Sequence, residues 1–264
     1  MPSLAGSRAK IDRAKEQIDA LRTQLSTAME ADGQKLAVDA KHDVYSGHPA
    51  ITTFVTQMPT FSIDISILIG EISHNLRSAL DQLAWALVPR GHLAAMKSGD
   101  RRQIAFPLAK DRKNFRNRID QLIPTTTPDQ RKFIERYQPY RRSPAGRAMR
   151  TLRTLSDTDK HRVIVPALFF PLLIHANVEP EGARRLEHIR RLEPGRKMRL
   201  GTELSTWTLS AKPKNVRVEY KITCSPAFPP SLIRPSPGNS IEDVGGTLTT
   251  IAAICTEILD HFDL

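Results

Sequence analysis

The sequence predicts an α+β protein: a helical bundle with a mostly antiparallel β layer inserted before the C-terminal helix. Three observations carry that expectation. Segments near both ends and in the middle repeat apolar residues in steps of three and four, the helical period. Around Tyr220, apolar and polar residues alternate, the period of a half-buried strand. The composition, 264 residues with 40% hydrophobic and 25% charged, suits a chain that buries a core.

The elements follow in order. Residues 5–31 set Ile11, Ala14, Ile18, Leu21, Leu25 and Ala28 on one stripe, a short heptad-like seam suited to a bundle, with Gly33 as its stop. Near 43–56, Val44-Tyr45 and the run Ile51 to Val55 flank Ser46-Gly47-His48-Pro49, a turn composition, so a small hairpin is expected. Residues 63–88 carry Ile65, Ile69, Ile72, Leu76, Leu80, Leu83 and Leu87 on one helix face. The other face holds Gly70, His74, Arg77, Asp81 and Trp85, and Pro89 ends the run. Residues 90–102 read as a polar loop. Residues 111–122 and 128–137 read as shorter helices, with Thr127 placed as N-cap and Pro128 at the first helical position. Residues 145–161 form another helix through Met149, Leu152 and Leu155.

The character changes beyond that point. Residues 163–178 are apolar and interrupted by Pro166 and Pro171. Val216, Val218, Tyr220 and Ile222 alternate with Arg217, Glu219, Lys221 and Thr223, and Leu204 to Leu209 is the expected partner strand. Ser240-Ile241-Glu242-Asp243 resembles a capping box and opens a last helix through Val244, Leu248, Ile251, Cys255, Ile258 and Phe262. The expected organisation is therefore 1–162 mainly helical with the hairpin, 163–239 β-rich, and 240–264 a terminal helix returning to the bundle.

Composition excludes several classes. Two cysteines, Cys224 and Cys255, cannot make a disulfide framework or a cysteine-rich zinc site, and both read as small core residues. No apolar leader follows Met1 and no apolar run approaches the roughly 20 residues of a membrane span, so a cytoplasmic protein without a membrane partner is expected. P-loop, dinucleotide-binding, nucleophile-elbow and zincin motifs are absent, and no cofactor is expected. Net charge is +11, and its position matters more than its size. Residues 90–162 hold 19 Lys and Arg against 7 Asp and Glu, so the whole excess lies mid-chain. Such a block attracts phosphates. Arginine outnumbers lysine 26 to 13, a bias that a GC-rich genome also produces.

Three constellations carry chemistry. Glu71 and His74 have the Glu-x-x-His spacing of di-iron bundles, but the second pair such sites need is missing, so no metal is expected. His74, Arg77 and Asp81 share one helix face, and Arg77 and Asp81 are spaced to pair. They read either as an ion pair that fixes packing or as part of a site. Asp157-Thr158-Asp159-Lys160-His161-Arg162 gathers ionisable groups at a helix end. It reads either as general acid–base machinery around His161 or as cations offsetting the helix dipole.

The run Leu68 to Asp81, reading LIGEISHNLRSALD, with Asp159-Lys160-His161-Arg162 far downstream, resembles a family of bacterial hypothetical proteins to which no activity is attached. The likeness runs from the first helix to about residue 175. More weakly, the chain is similar to the HEPN superfamily, helical bundles that include metal-independent ribonucleases of toxin and phage-defence systems. Their hallmark is Arg, four to six residues, then His. None of the histidines here follows an arginine at that spacing, and Gln82 stands where Arg77 would require the histidine.

Two functional expectations result. The favoured one is non-catalytic binding of nucleic acid, RNA before DNA, through Arg112, Lys113, Arg116, Arg118, Arg141, Arg142, Arg147, Arg150 and Arg153. Phe106, Phe115, Tyr137 and Tyr140 are interleaved as stacking platforms. His74, Asp81, Asp159, Lys160 and Arg162 then form a polar network. The alternative is a HEPN-like endoribonuclease, with Arg77 stabilising phosphate charge and His161 deprotonating a 2′-hydroxyl. A protein-partner module and a homo-oligomer stay open.

Overall fold

A computed structural model describes residues 3–30, 37–45, 48–58, 60–159, 168–179, 186–191, 199–209, 217–229, 232 and 243–263. Its frame is four long helices: α1 (Ala5–Glu30), α2 (Ile63–Leu87), α7 (Pro144–Asp159) and α8 (Val244–Phe262). The α1 seam from Ile11 to Leu25 is buried, as is the α2 stripe from Ile65 to Leu83. Helices α1 and α7 each pack against α2 and α8. Lys10 reaches Asn75 and Gln17 reaches Glu71, so α1 runs antiparallel to α2. Arg8 meets Asp260 and Arg22 meets Thr249, so α1 is antiparallel to α8 as well. The terminal helix thus shares one apolar core with α1, α2 and α7.

Between α2 and α7 lie four short helices: α3 (Arg90–Ala95), α4 (Ser98–Arg101), α5 (Arg112–Leu122) and α6 (Pro128–Arg136). The loop expected over 90–102 therefore contains two helical pieces. Neither buries a residue, so neither leaves an apolar period in the sequence. Thr127 caps α6 through a full capping box with Gln130, as its spacing implied. Asp111 caps α5 by accepting from the Asn114 amide at 2.7 Å. Helix α8 is capped by Asp243, which accepts from the Gly246 amide at 2.7 Å. That start is later than the expected box, whose Ser240 lies outside the described residues.

The strands are β1 (Ala37–Tyr45), β2 (His48–Gln57), β3 (Leu168–Glu179), β4 (Leu186–Arg191), β5 (Glu203–Leu209) and β6 (Arg217–Ala227). They form two antiparallel sheets, one ordered β1-β2-β5-β4 and one pairing β3 with β6. One expectation of strand pairing is corrected. Strand β5 pairs with β2 and β4, not with β6, so the early hairpin belongs to the same sheet as the later strands. The 11-residue β6 matches the 12-residue β3 in length, whereas β5 has 7 residues. The proline-interrupted run is a strand from Leu168 onward, with a register slip beside Pro171. In a two-stranded sheet both strands are edges, where proline's missing N–H is tolerated.

Candidate functional site: a polar clip and a basic helical hairpin

The polar face of α2 builds an internal clip. Arg77 grips Asp81 one turn on, Nη2 to Oδ1 at 2.8 Å and Nε to Oδ2 at 3.1 Å. The pair also holds both backbone groups of one residue: Arg77 Nη2 donates to the Phe106 carbonyl at 2.9 Å, and the Phe106 amide donates to Asp81 Oδ1 at 2.9 Å. Phe106 belongs to a chain of irregular structure between α4 and α5 that enters the core, where Ile104, Phe106 and Ala109 are buried. Such a segment must find partners for its amides and carbonyls. Gln138, fully buried, supplies more of them: it accepts from the Ala109 amide at 3.0 Å and donates to the Pro107 carbonyl at 2.9 Å. Arg77 and Asp81 are therefore packing groups, the bland reading of their spacing. Gln138 was not singled out in the sequence, since a buried glutamine has no motif.

The neighbouring candidates divide. His74 is exposed, its Nε2 3.3 Å from the Ser78 hydroxyl. Glu71 accepts from Gln17 at 2.7 Å, within a ladder in which Gln17 also accepts from Asn75 and Lys10 reaches Asn75. Among the described residues no group of three His, Cys, Asp or Glu side chains is arranged to hold a metal ion. Asp159, at the end of α7, lays its carboxylate against the α2 backbone at Gly70, where a Cβ would collide with it. Gly70 is one turn from His74 on the same stripe. Lys160, His161 and Arg162, and with them the expected convergence of Arg77 with His161, lie outside the described residues. Cys255 is buried in the core, and that burial pushes its thiol up to about 12, against a smaller opposing pull from Arg77. Such a thiol stays protonated and inert.

The mid-chain cations sort by what they touch. Helices α5 and α6 form an antiparallel hairpin stitched at both ends, Arg112 to Glu135 at 3.2 Å and Arg131 to Asp120. Phe115, Ile119, Phe133 and Ile134 are buried beneath it. Arg141 also reaches Glu135, at 2.9 Å, and Arg153 reaches Asp157 at 3.5 Å. Arg147 donates to the Arg142 carbonyl at 2.8 Å, and Arg150 donates twice to the Pro139 carbonyl, at 2.9 and 2.7 Å. Lys113, Arg116, Arg118 and Arg142 are exposed and have no ion-pair partner among the described residues. Lys132 and Arg136 on α6 share that condition and were not singled out, although the charge block contained them.

The aromatic expectation is corrected. Phe106, Phe115 and Tyr137 are buried in the core, where no base can stack on them. Tyr137 donates to Glu257 at 2.8 Å, tying the end of α6 to α8. Tyr140 is half-buried and donates to Glu135 at 2.9 Å. Phe115 lies on the inner face of α5, Phe106 in the irregular segment before it, and Tyr137 and Tyr140 at and just after the end of α6, so they do not make a stacking platform. In comparisons with known proteins, no family model matches the chain, and neither a curated protein nor a solved structure matches it.

Proposed function

We propose that the chain binds the phosphate backbone of nucleic acid through the exposed side of the α5–α6 hairpin, without catalysing a reaction on it. One observation carries this reading. Two of the hairpin's three helical acids, Asp120 and Glu135, are taken up by Arg131, Arg112 and Arg141, while Lys113, Arg116, Arg118, Lys132 and Arg136 face solvent without an ion-pair partner among the described residues. Cations held this way lose little on exchanging water for phosphate and gain from counterion release. With the aromatics buried, the recognition expected is of backbone charge, not of unstacked bases. The nuclease reading is not favoured, because Arg77 already uses Nε and Nη2 to hold Asp81 and Phe106.

Labelled RNA, single-stranded and duplex, titrated across a salt series tests the proposal, with duplex DNA as comparison. The expected result is a linear fall of log K with log salt, and intact RNA in EDTA. Replacing Lys113, Arg116 and Arg118 together by Gln should flatten the slope by roughly 0.7–0.9 for each cation that meets a phosphate. These side chains are exposed, so the melting temperature should hold. Absence of binding at low salt, or an unchanged slope in the triple variant, refutes the assignment.

A further inference from the structure

Glu135 has an unusual environment for a carboxylate on a basic surface. Its side chain is only 17% exposed, and one oxygen, Oε1, is met by three groups, two as ion pairs and one as a hydrogen bond. They are Arg112 Nε at 3.2 Å, Arg141 Nη2 at 2.9 Å and the Tyr140 hydroxyl at 2.9 Å. Two cations and a hydroxyl thus serve a single negative charge, leaving one positive charge in surplus. The guanidiniums also remain open to solvent, at 59% exposure for Arg112 and 42% for Arg141.

The cradle does not depend wholly on the carboxylate that fills it. Arg141 Nε donates to the Glu135 backbone carbonyl at 3.2 Å, which fixes the guanidinium to the end of α6 whatever the Glu135 side chain does. The same guanidinium lies 5.5 Å from the centre of the Tyr140 ring. Arg112 is the first residue of α5, beside Lys113 and one turn from Arg116. A phosphate oxygen accepts the same donors as a carboxylate oxygen, and arginine's planar fork suits both.

We propose that Arg112, Arg141 and Tyr140 form a phosphate site that Glu135 occupies from within. On this proposal, which rests on the nucleic-acid reading above, a backbone phosphodiester displaces the carboxylate. Glu135 swings to solvent and the three donors pass to the phosphate oxygen. Glu135 then acts as a built-in competitor that weakens binding and makes Arg112 and Arg141 silent in the resting protein.

Glu135→Gln in the full chain is the test. It removes the competing charge while leaving an oxygen for Tyr140. The expected result is about tenfold tighter binding to the RNA duplex at low salt, with a similar log K against log salt slope, because the same phosphates are neutralised in both complexes. Arg112→Gln separates the mechanisms. It should cost far more affinity in the Glu135→Gln background than in the otherwise unaltered chain, because only there is Arg112 free beforehand. Equal losses in both backgrounds, or an unchanged affinity in a folded Glu135→Gln protein, overturn the proposal. Inorganic phosphate at constant ionic strength distinguishes the sources. If Glu135→Gln takes up free phosphate but gains no affinity for RNA, the site serves a small anion and backbone recognition by it is overturned. The α5 triple variant keeps the Glu135 cradle intact, so its result bears on the general reading alone.

Discussion

Asp81→Ala probes whether the Arg77–Asp81 pair exists for packing. The substitution takes the carboxylate from the Phe106 amide, in a residue that is 1% exposed, and from the Arg77 guanidinium. A stranded buried amide costs about 1–3 kcal/mol. The ion pair adds less, because the side chains of Arg77 and Asp81 are 22% and 33% exposed and water screens them; about 1 kcal/mol is the fair figure. The expected loss is therefore about 2–4 kcal/mol, read as a lower urea midpoint at unchanged m. Asp81→Asn should recover part of it, since the amide oxygen still accepts from Phe106. Pairing Asp81→Ala with Arg77→Ala should show coupling of about 1–2 kcal/mol. A loss below about 0.5 kcal/mol, the range of an ordinary surface substitution, would refute the packing assignment.

Three further outcomes follow. Gly146→Ala should destabilise by about 2 kcal/mol or more, because its Cβ would meet the Arg141 carbonyl oxygen at 2.5 Å, a backbone atom that cannot step aside. Gly70→Ala meets instead the movable Asp159 carboxylate, and a helix-propensity gain of about 1 kcal/mol offsets the displacement, so its melting temperature should change little. Equal effects in the two variants would contradict this account. The third concerns alkaline pH. Burial, then the bond to Glu257, pushes the Tyr137 hydroxyl up to about 12, and burial with Glu135 pushes Tyr140 up to about 12. The unfolded chain releases those protons near 10.0 and the folded one holds them, so stability is full below that pH and falls as pH rises toward 12. Urea midpoints across this window should fall less steeply in a Tyr137→Phe, Tyr140→Phe protein; parallel curves would remove the linkage.

The long helices were legible because each writes its burial into a period. Ile11 to Leu25 and Ile65 to Leu83 repeat at the helical step and are buried as that step requires. Thr127 and Pro128 were legible because capping is local chemistry. Strand partners were not, since β5 carries no mark that selects β2 over β6; pairing is a property of the assembled sheet. The clip was half legible. Arg77 and Asp81 announce a pair by spacing, but what they grip is the backbone of Phe106, and a backbone has no residue-type signature. The aromatic residues misled for a related reason: Phe115 and Tyr137 sit among cations in the chain and are buried in the fold.

That distinction also decides which arginines are available for recognition. A cation serves a ligand only if leaving its resting partners costs less than the new contact returns. Arg77 fails the test. Moving its guanidinium onto a phosphate strands the Phe106 carbonyl and leaves Asp81 without its bidentate partner in a half-buried site, a penalty of about 2–3 kcal/mol before any gain. Arg112 passes. Its bond to Glu135 is a surface pair with the arginine more than half exposed, worth about 0–1 kcal/mol, and an incoming phosphodiester replaces that carboxylate with an acceptor of the same single charge, so the exchange costs little. Lys113, Arg116 and Arg118 have no ion pair to break among the described residues. The order of availability is therefore the free α5 cations first, Arg112 and Arg141 on displacement of Glu135, and Arg77 last. The residue whose spacing most resembled a catalytic group is thus the one the fold can least release.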